Sequence, residues 1–159
     1  MTTTTATALA SQVYRLFIKA TPEAIWDGIT KPEYTVKYFH GGRVETTGEA
    51  GSPMRMFGPD GATWGDEIIQ ESDPPRRLVV GWRSLYNEEM AAEPTSRITW
   101  EIEPREGGVC LVTLVHDQLE HSPKTADNVS GEGWMGVLSG LKTVLETGRP
   151  MQHPLMAHI

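Results

Sequence analysis

His116 is the residue whose type and setting best suit chemistry, because imidazole titrates near neutral pH and this one sits in an alternating run from Val109 to Gln118. If the hairpin ahead of it pairs Glu103 with Val109, then Trp100 faces Val112, Ile98 faces Leu114 and Ser96 faces His116, all pointing inward. His116 is then expected at the mouth of a cavity. There it is either an acid/base or ligand-orienting group, or a strand-end histidine hydrogen-bonded to serine or backbone. Asp66 and Glu67 are adjacent within a strand-like run from Thr63 to Glu71, so a regular strand turns one of them inward. A carboxylate near Trp82 can bind a polar ligand end or act as a base. Strand irregularity, or solvent at the mouth, leaves both exposed instead.

The other conspicuous set is aromatic and thioether: Trp82, Trp100 and Trp134 with Met54, Met56 and Phe57. Large rings and pliable sulfurs suit an adaptable apolar pocket, and equally a filled core. No glycine-rich phosphate loop, serine nucleophile elbow or paired helical histidines are present, so no cofactor is expected. His40, His121, His153 and His158 are too scattered for a metal site, and Cys110 alternates with apolar neighbours as buried filler.

The element that must position these groups is the last helix, expected from Gly131 to Gly148. At the helical step Trp134, Val137, Leu138, Leu141, Val144 and Leu145 fall within an arc of about 120°, wide enough to cover a sheet. Ser130 is the expected N-cap, and Gly148 followed by Pro150 stops the helix. Gly131, Gly133, Gly136 and Gly140 interrupt it, each interior glycine costing about 1 kcal/mol relative to alanine. Either the first turn is loosely wound, or the small residues let a strand, a ligand or a second subunit approach the backbone.

Upstream, Val13 to Ala20 reads as a strand feeding a helix at Thr21-Pro22-Glu23, with Ile25, Trp26 and Ile29 on one side. Pro32 opens a second short helix. After Gly41-Gly42 come short strands: Arg43 to Thr47, Ser52 to Phe57, Thr63 to Glu71, Arg77 to Ser84, Arg97 to Glu103 and Val109 to Gln118. Turn residues separate them, giving an antiparallel meander. Ile98, Trp100 and Ile102 alternate with Arg97, Thr99, Glu101 and Glu103, so one sheet face is wet and the other is left for the last helix. Asn87 to Pro94 can form one acidic helical turn, and Leu119 to Ser130 reads as a long loop.

Fourteen Lys and Arg against 21 Asp and Glu give net charge −7, which argues against nucleic acid and anionic membranes as partners. No stretch is long and apolar enough to span a membrane, and a single cysteine suits a reducing cytoplasm. Residues 1–10 read as a floppy Thr/Ala arm, 11–150 as one domain and 151–159 as a tail.

The run DPPRRLVVGW from Asp73 to Trp82, followed near the end by Gly133-Trp134 and Leu141-Lys142, resembles the family called activator of the ninety-kilodalton heat-shock-protein ATPase, homologue-like. TPEAIWDGIT, FGPDG, ITWEIEP and a strand ending LVHDQL match as well, covering almost everything after the leading arm. The family is similar to the START-like and polyketide-cyclase superfamily. The resemblance implies an α+β helix-grip fold, with a curved antiparallel sheet of about six to seven strands, two short helices after the first strand, and a long C-terminal helix across the concave face. It implies a cavity for apolar small molecules between sheet and helix, and no shared catalytic motif. The eukaryotic activator carries a separate chaperone-binding domain for which 159 residues leave no room. The expected function is therefore non-enzymatic binding of an apolar or amphipathic small molecule or lipid. Trp82, Trp100, Trp134, Leu138, Met56 and Asp66 are its expected contacts, and His116 orients a polar end. The alternatives are a cyclase-like or hydrolytic enzyme using His116 with Asp66 or Glu67, and a protein-interaction or homodimer module using the glycine border of the last helix.

Overall fold

The computed structural model of the chain describes residues 10–151; most of the expected arm and most of the expected tail lie outside the described residues. Strand β1 (Gln12–Ile18) leads into helices α1 (Pro22–Thr30) and α2 (Pro32–Tyr38). As the sequence predicts, Thr21 caps α1, its hydroxyl accepting the Ala24 N–H at 3.1 Å, and prolines open both helices. Strands β2 (Arg43–Glu45), β3 (Arg55–Phe57), β4 (Thr63–Gly65), β5 (Ile69–Asp73) and β6 (Arg77–Trp82) follow. The acidic turn forms α3 (Glu88–Ala91). A long hairpin of β7 (Ser96–Arg105) and β8 (Val109–Asp117), then α4 (Pro123–Val129) and α5 (Glu132–Thr147), complete the chain.

The strands make two antiparallel sheets, one ordered β1-β8-β7-β6-β5 and one ordered β2-β3-β4. The run from Thr63 to Glu71 is therefore two strands, β4 in the small sheet and β5 in the large one. Register irregularities at Met56/Phe57 and Ile69/Glu71 bend the strands, and a bridge between Pro53 and Ile68 holds the sheets together. The expected α+β architecture, with a long helix gripped by antiparallel sheet, is what forms.

The β7–β8 hairpin differs in register from expectation. Arg105, not Glu103, pairs with Val109, so Trp100 faces Leu114 and Ile98 faces His116. The tight turn through Gly107 and Gly108, at φ 82° and 75°, lets both strands run on, through Pro104. A two-residue slip keeps every side chain on its face, so the inward set is unchanged.

Helix α5 lays Trp134, Val137, Leu138, Leu141 and Val144 into one core with Ile18, Leu78, Ile102, Val112 and Leu114 of the large sheet and Ile25 and Ile29 of α1. Gly148, at φ 78°, closes it with its N–H on the Val144 carbonyl. Its start departs from expectation because Leu119 to Ser130 contains α4 rather than a bare loop. Gly131 (φ 57°) is the N-cap, while the Ser130 hydroxyl turns back to donate to the Asp127 carbonyl at 3.1 Å. Two of the glycines lie against the chain itself: a Cβ on Gly133 would lie 2.8 Å from the Asn128 carbonyl oxygen, and Gly140 is buried.

Leu141 is fully buried and touches the glycine face of α1, where a Cβ on Gly28 would lie 3.0 Å from Leu141 Cδ1. Leu141→Ala is expected to destabilise the fold by about 2–5 kcal/mol in denaturant titrations. Met135→Ala, on the 49% exposed side of the same helix, should stay within about 0.5 kcal/mol. Equal effects would contradict this packing.

Candidate functional site

Between the two sheets, α2 and α5 lies a cavity of about 870 Å³. This falls within the size range of small-molecule sites. The large sheet supplies Val80, Trp82, Ile98 and Trp100, the small sheet Val44, Met56 and Trp64, and α5 supplies Trp134 and Val137. Tyr38 and Phe39 close the α2 side. The strand alternation that turns Ile98 and Trp100 inward is the one that puts their odd-numbered neighbours outside.

The aromatic rings form a continuous wall. Trp82 and Trp134 have centroids 5.4 Å apart, Trp100 meets Trp134 edge-on at 6.3 Å, and Phe39 lies 6.2 Å from Trp82. Trp64 and Tyr86 make a second pair at 5.9 Å.

Of the residues expected as contacts, Met56, Asp66, Trp82, Trp100 and Trp134 line this cavity, and His116 and Leu138 do not. Leu138 belongs to the buried layer between helix and sheet, because a helix of this pitch turns Trp134 and Val137 toward the hollow and Leu138 toward the strands. His116 lies behind the wall at 0% exposure rather than at the mouth. The Trp134 indole N–H donates to His116 Nδ1 at 3.0 Å, so Nδ1 is the acceptor and the ring proton is assigned to Nε2. Nε2 donates to Ser96 Oγ at 2.8 Å, and that hydroxyl donates to the Trp82 carbonyl at 3.2 Å. Both ring nitrogens are thus committed to the protein. The hydrogen-bonded reading of His116 is the one this geometry realises, and the ring shapes the wall by fixing Trp134.

Asp66 and Glu67 fall in the break between β4 and β5, where no strand alternation applies, and both reach the cavity lining. Asp66 is exposed at the rim; Glu67 is half-buried, with Oε2 3.6 Å from Arg83 Nε. Glu67 packs over Gly81, where a Cβ would meet its Oε1 at 2.9 Å. His40, Trp64 and Arg83 also line the cavity although sequence patterning does not single them out for it. His40 follows α2 at φ 55° and Arg83 follows the last residue of β6, so chain reversals rather than periodicity aim them. Among the described residues no group of three or more His, Cys, Asp or Glu is disposed to hold a metal. Cys110 is buried, its thiol donating to the Ala20 carbonyl at 3.3 Å, and burial raises its pKa.

Burial holds the His116 pKa down at about 4 against an ordinary 6.5, with Asp117 opposing the shift. Between those values the unfolded chain binds a proton that the folded chain excludes. The contribution is complete above about pH 6.5 and is lost as pH falls toward 4. In denaturant titrations across that window the wild type should lose roughly 2–3 kcal/mol more than His116→Gln. A difference between the two that stays flat with pH would contradict this network.

Comparison with known proteins follows the same lines. The fold matches protein MLL2253 from Mesorhizobium loti (TM-score 0.70, 16% identity, covering 86% of this chain and 96% of that one). It also matches the Aha1 dimer from Colwellia psychrerythraea, determined in solution (TM-score 0.68, 21% identity, 87% and 97%). A third similar structure is CalU16 from Micromonospora echinospora (TM-score 0.63, 23% identity, 92% and 79%). No curated protein sequence matches the chain. The family described as Activator of Hsp90 ATPase homolog 1-like protein matches residues 19–146, most of the chain, including α2, all but the last residue of α5 and every strand that encloses the cavity, and the protein belongs to that family.

Proposed function

We propose that the protein binds an apolar or amphipathic small molecule in the cavity between its sheets and α5, without transforming it. The observation that carries this reading is the hollow itself, about 870 Å³ walled by Phe39, Trp64, Trp82, Trp100 and Trp134. Burying an apolar ligand there contributes about 25 cal/mol for each Å² removed from water. An acid/base role for His116 is disfavoured because both its nitrogens are bonded to the chain and its ring is enclosed. Asp66 and Glu67 reach the cavity lining and His116 does not, so the pairing that an enzyme would need is absent there and the two acids serve as polar contacts.

A second reading, a protein-interaction module, has support in two places. One relative is described as a dimer, and Val13 and Phe17 are 58% and 56% exposed on the outer face of edge strand β1. The solution mass of the purified protein, and its change in Phe17→Glu, separates this from the first reading.

For the cavity, protein purified from its own cells is examined by native mass spectrometry, and lipids and aromatic compounds are screened by tryptophan fluorescence and melting temperature. A ligand at a hundredfold its Kd should stabilise the fold by about 2.7 kcal/mol. Val137→Phe, which projects extra volume into the hollow, should weaken binding at least about tenfold while leaving the melting temperature within a few degrees. No co-purifying compound and no response to any probe would remove this function.

A further inference from the structure

The indole N–H groups of the tryptophans that line the hollow are not equally employed. Trp134 donates to His116 Nδ1, and Trp82 donates to Ser84 Oγ at 3.2 Å. Trp100 has no acceptor among the described residues. The sealed side-chain polar atoms that lack a partner there are His40 Nδ1 and Arg83 Nε, and the Trp100 nitrogen is not one of them. It is therefore open to space, although the residue as a whole is only 4% exposed. That space is the hollow. Trp100 stands within the large sheet on β7, with Leu78 on one side and Leu114 on the other, both at 0% exposure, so the accessible surface left to its ring faces the cavity it lines.

An indole N–H can only donate, and enclosed donors are nearly always bonded, so one left open on an apolar floor suits a ligand that brings the acceptor. The ring of Trp134, edge-on at 87° with centroids 6.3 Å apart, offers at best a weak substitute. The surroundings restrict the acceptor's charge. Ile98, next on the same strand face, and Val80 opposite it also line the hollow, so the floor beside this N–H is hydrocarbon. Arg55, Asp60, Asp66 and Glu132 of the lining are exposed and hence belong to the mouth. A carboxylate carried to the floor would lose its water for a single neutral donor, and an ammonium has no lone pair to accept with. A hydroxyl would bring a proton of its own into hydrocarbon. A carbonyl or ether oxygen accepts without either cost.

We infer that Trp100 is the hydrogen-bond donor at the floor of the cavity, and that the ligand enters with an uncharged, acceptor-only oxygen, a carbonyl or an ether, foremost. This rests on the cavity-binding reading and adds to it the class of group at the ligand's buried end and the residue that selects it.

Three naphthalenes of matched shape test it by titration calorimetry: 2-acetylnaphthalene, 2-isopropenylnaphthalene and 2-naphthoate. The ketone should bind the wild type about tenfold more tightly than the alkene, and more tightly than the carboxylate. Trp100→Phe keeps a ring in the wall and removes the N–H, and in it the preference for ketone over alkene should vanish. Nitrogen-labelled wild-type protein gives a reading that needs no variant. The Trp100 indole proton should resonate further downfield in the ketone complex than in the alkene complex, while the Trp82 and Trp134 indole protons differ little between the two. Equal binding of ketone and alkene, tightest binding by the carboxylate, a preference that survives in Trp100→Phe, or a Trp100 signal at one position in both complexes overturns the assignment of Trp100 while the cavity reading stands. If none of the three binds, this inference falls, and the wider screen of lipids and aromatic compounds decides the cavity reading by itself.

Discussion

The hydrogen bond from the Trp134 indole to His116 Nδ1 joins helix to sheet where both carry polar atoms into a dry interior. Apolar contacts are forgiving: a helix rotated by some tens of degrees, or shifted along its axis, still buries leucines and valines. A buried indole N–H left without an acceptor costs about 1–3 kcal/mol, and an imidazole nitrogen left without a donor is similarly penalised. The pairing therefore discriminates among dockings of α5 that hydrophobic burial alone would leave close in energy. Because Ser96 and the Trp82 carbonyl continue the chain of donors, β6, β7, β8 and α5 are tied at one level. Trp82 and Trp134 owe their 5.4 Å approach to that tie, and the hollow owes them its inner wall.

Much of this was legible in the chain. The period-two pattern of Ile98, Trp100 and Ile102 placed the large sheet's inner face, and the stripe from Trp134 to Leu145 placed the helix upon it. What escaped has physical causes. Alternation gives the phase of a strand but not its partner, so the run from Thr63 to Glu71 did not disclose that it changes sheets at Gly65. Pro104 read as a strand end. Yet β6 pairs with β7 only as far as Glu101, so the missing N–H of Pro104 falls where no neighbour requires it. Helix α4 was hidden because seven residues carry too few turns for a periodic signal.

The site was legible in its apolar half. Tryptophans at inward phases announce themselves, and Trp82, Trp100 and Trp134 meet as their spacing suggests. The polar half depends on residues just beyond regular structure: His40 after α2, Asp66 and Glu67 in the gap between strands, Arg83 after β6. Their directions are set by turns and by the small size of Gly81, which no periodicity records. His116 shows the converse. Its inward phase was readable, but whether it met solvent, ligand or indole depended on how far the hairpin ran and where the helix began.

The strand order carries a consequence for the birth of the molecule. β1, among the first described residues to leave the ribosome, lies beside β8, with Gln12 opposite His116. At translation speeds of about 5–20 residues per second, β1 waits roughly 5–20 s before its neighbour has been made. Through that interval the sheet has no closing member, and α5, made later still, cannot yet roof it. Assembly is thus deferred until β8 and α5 have been made, and the growing chain carries Ile18 and the other inner-face residues uncovered until then, a period in which holding by a chaperone would matter most.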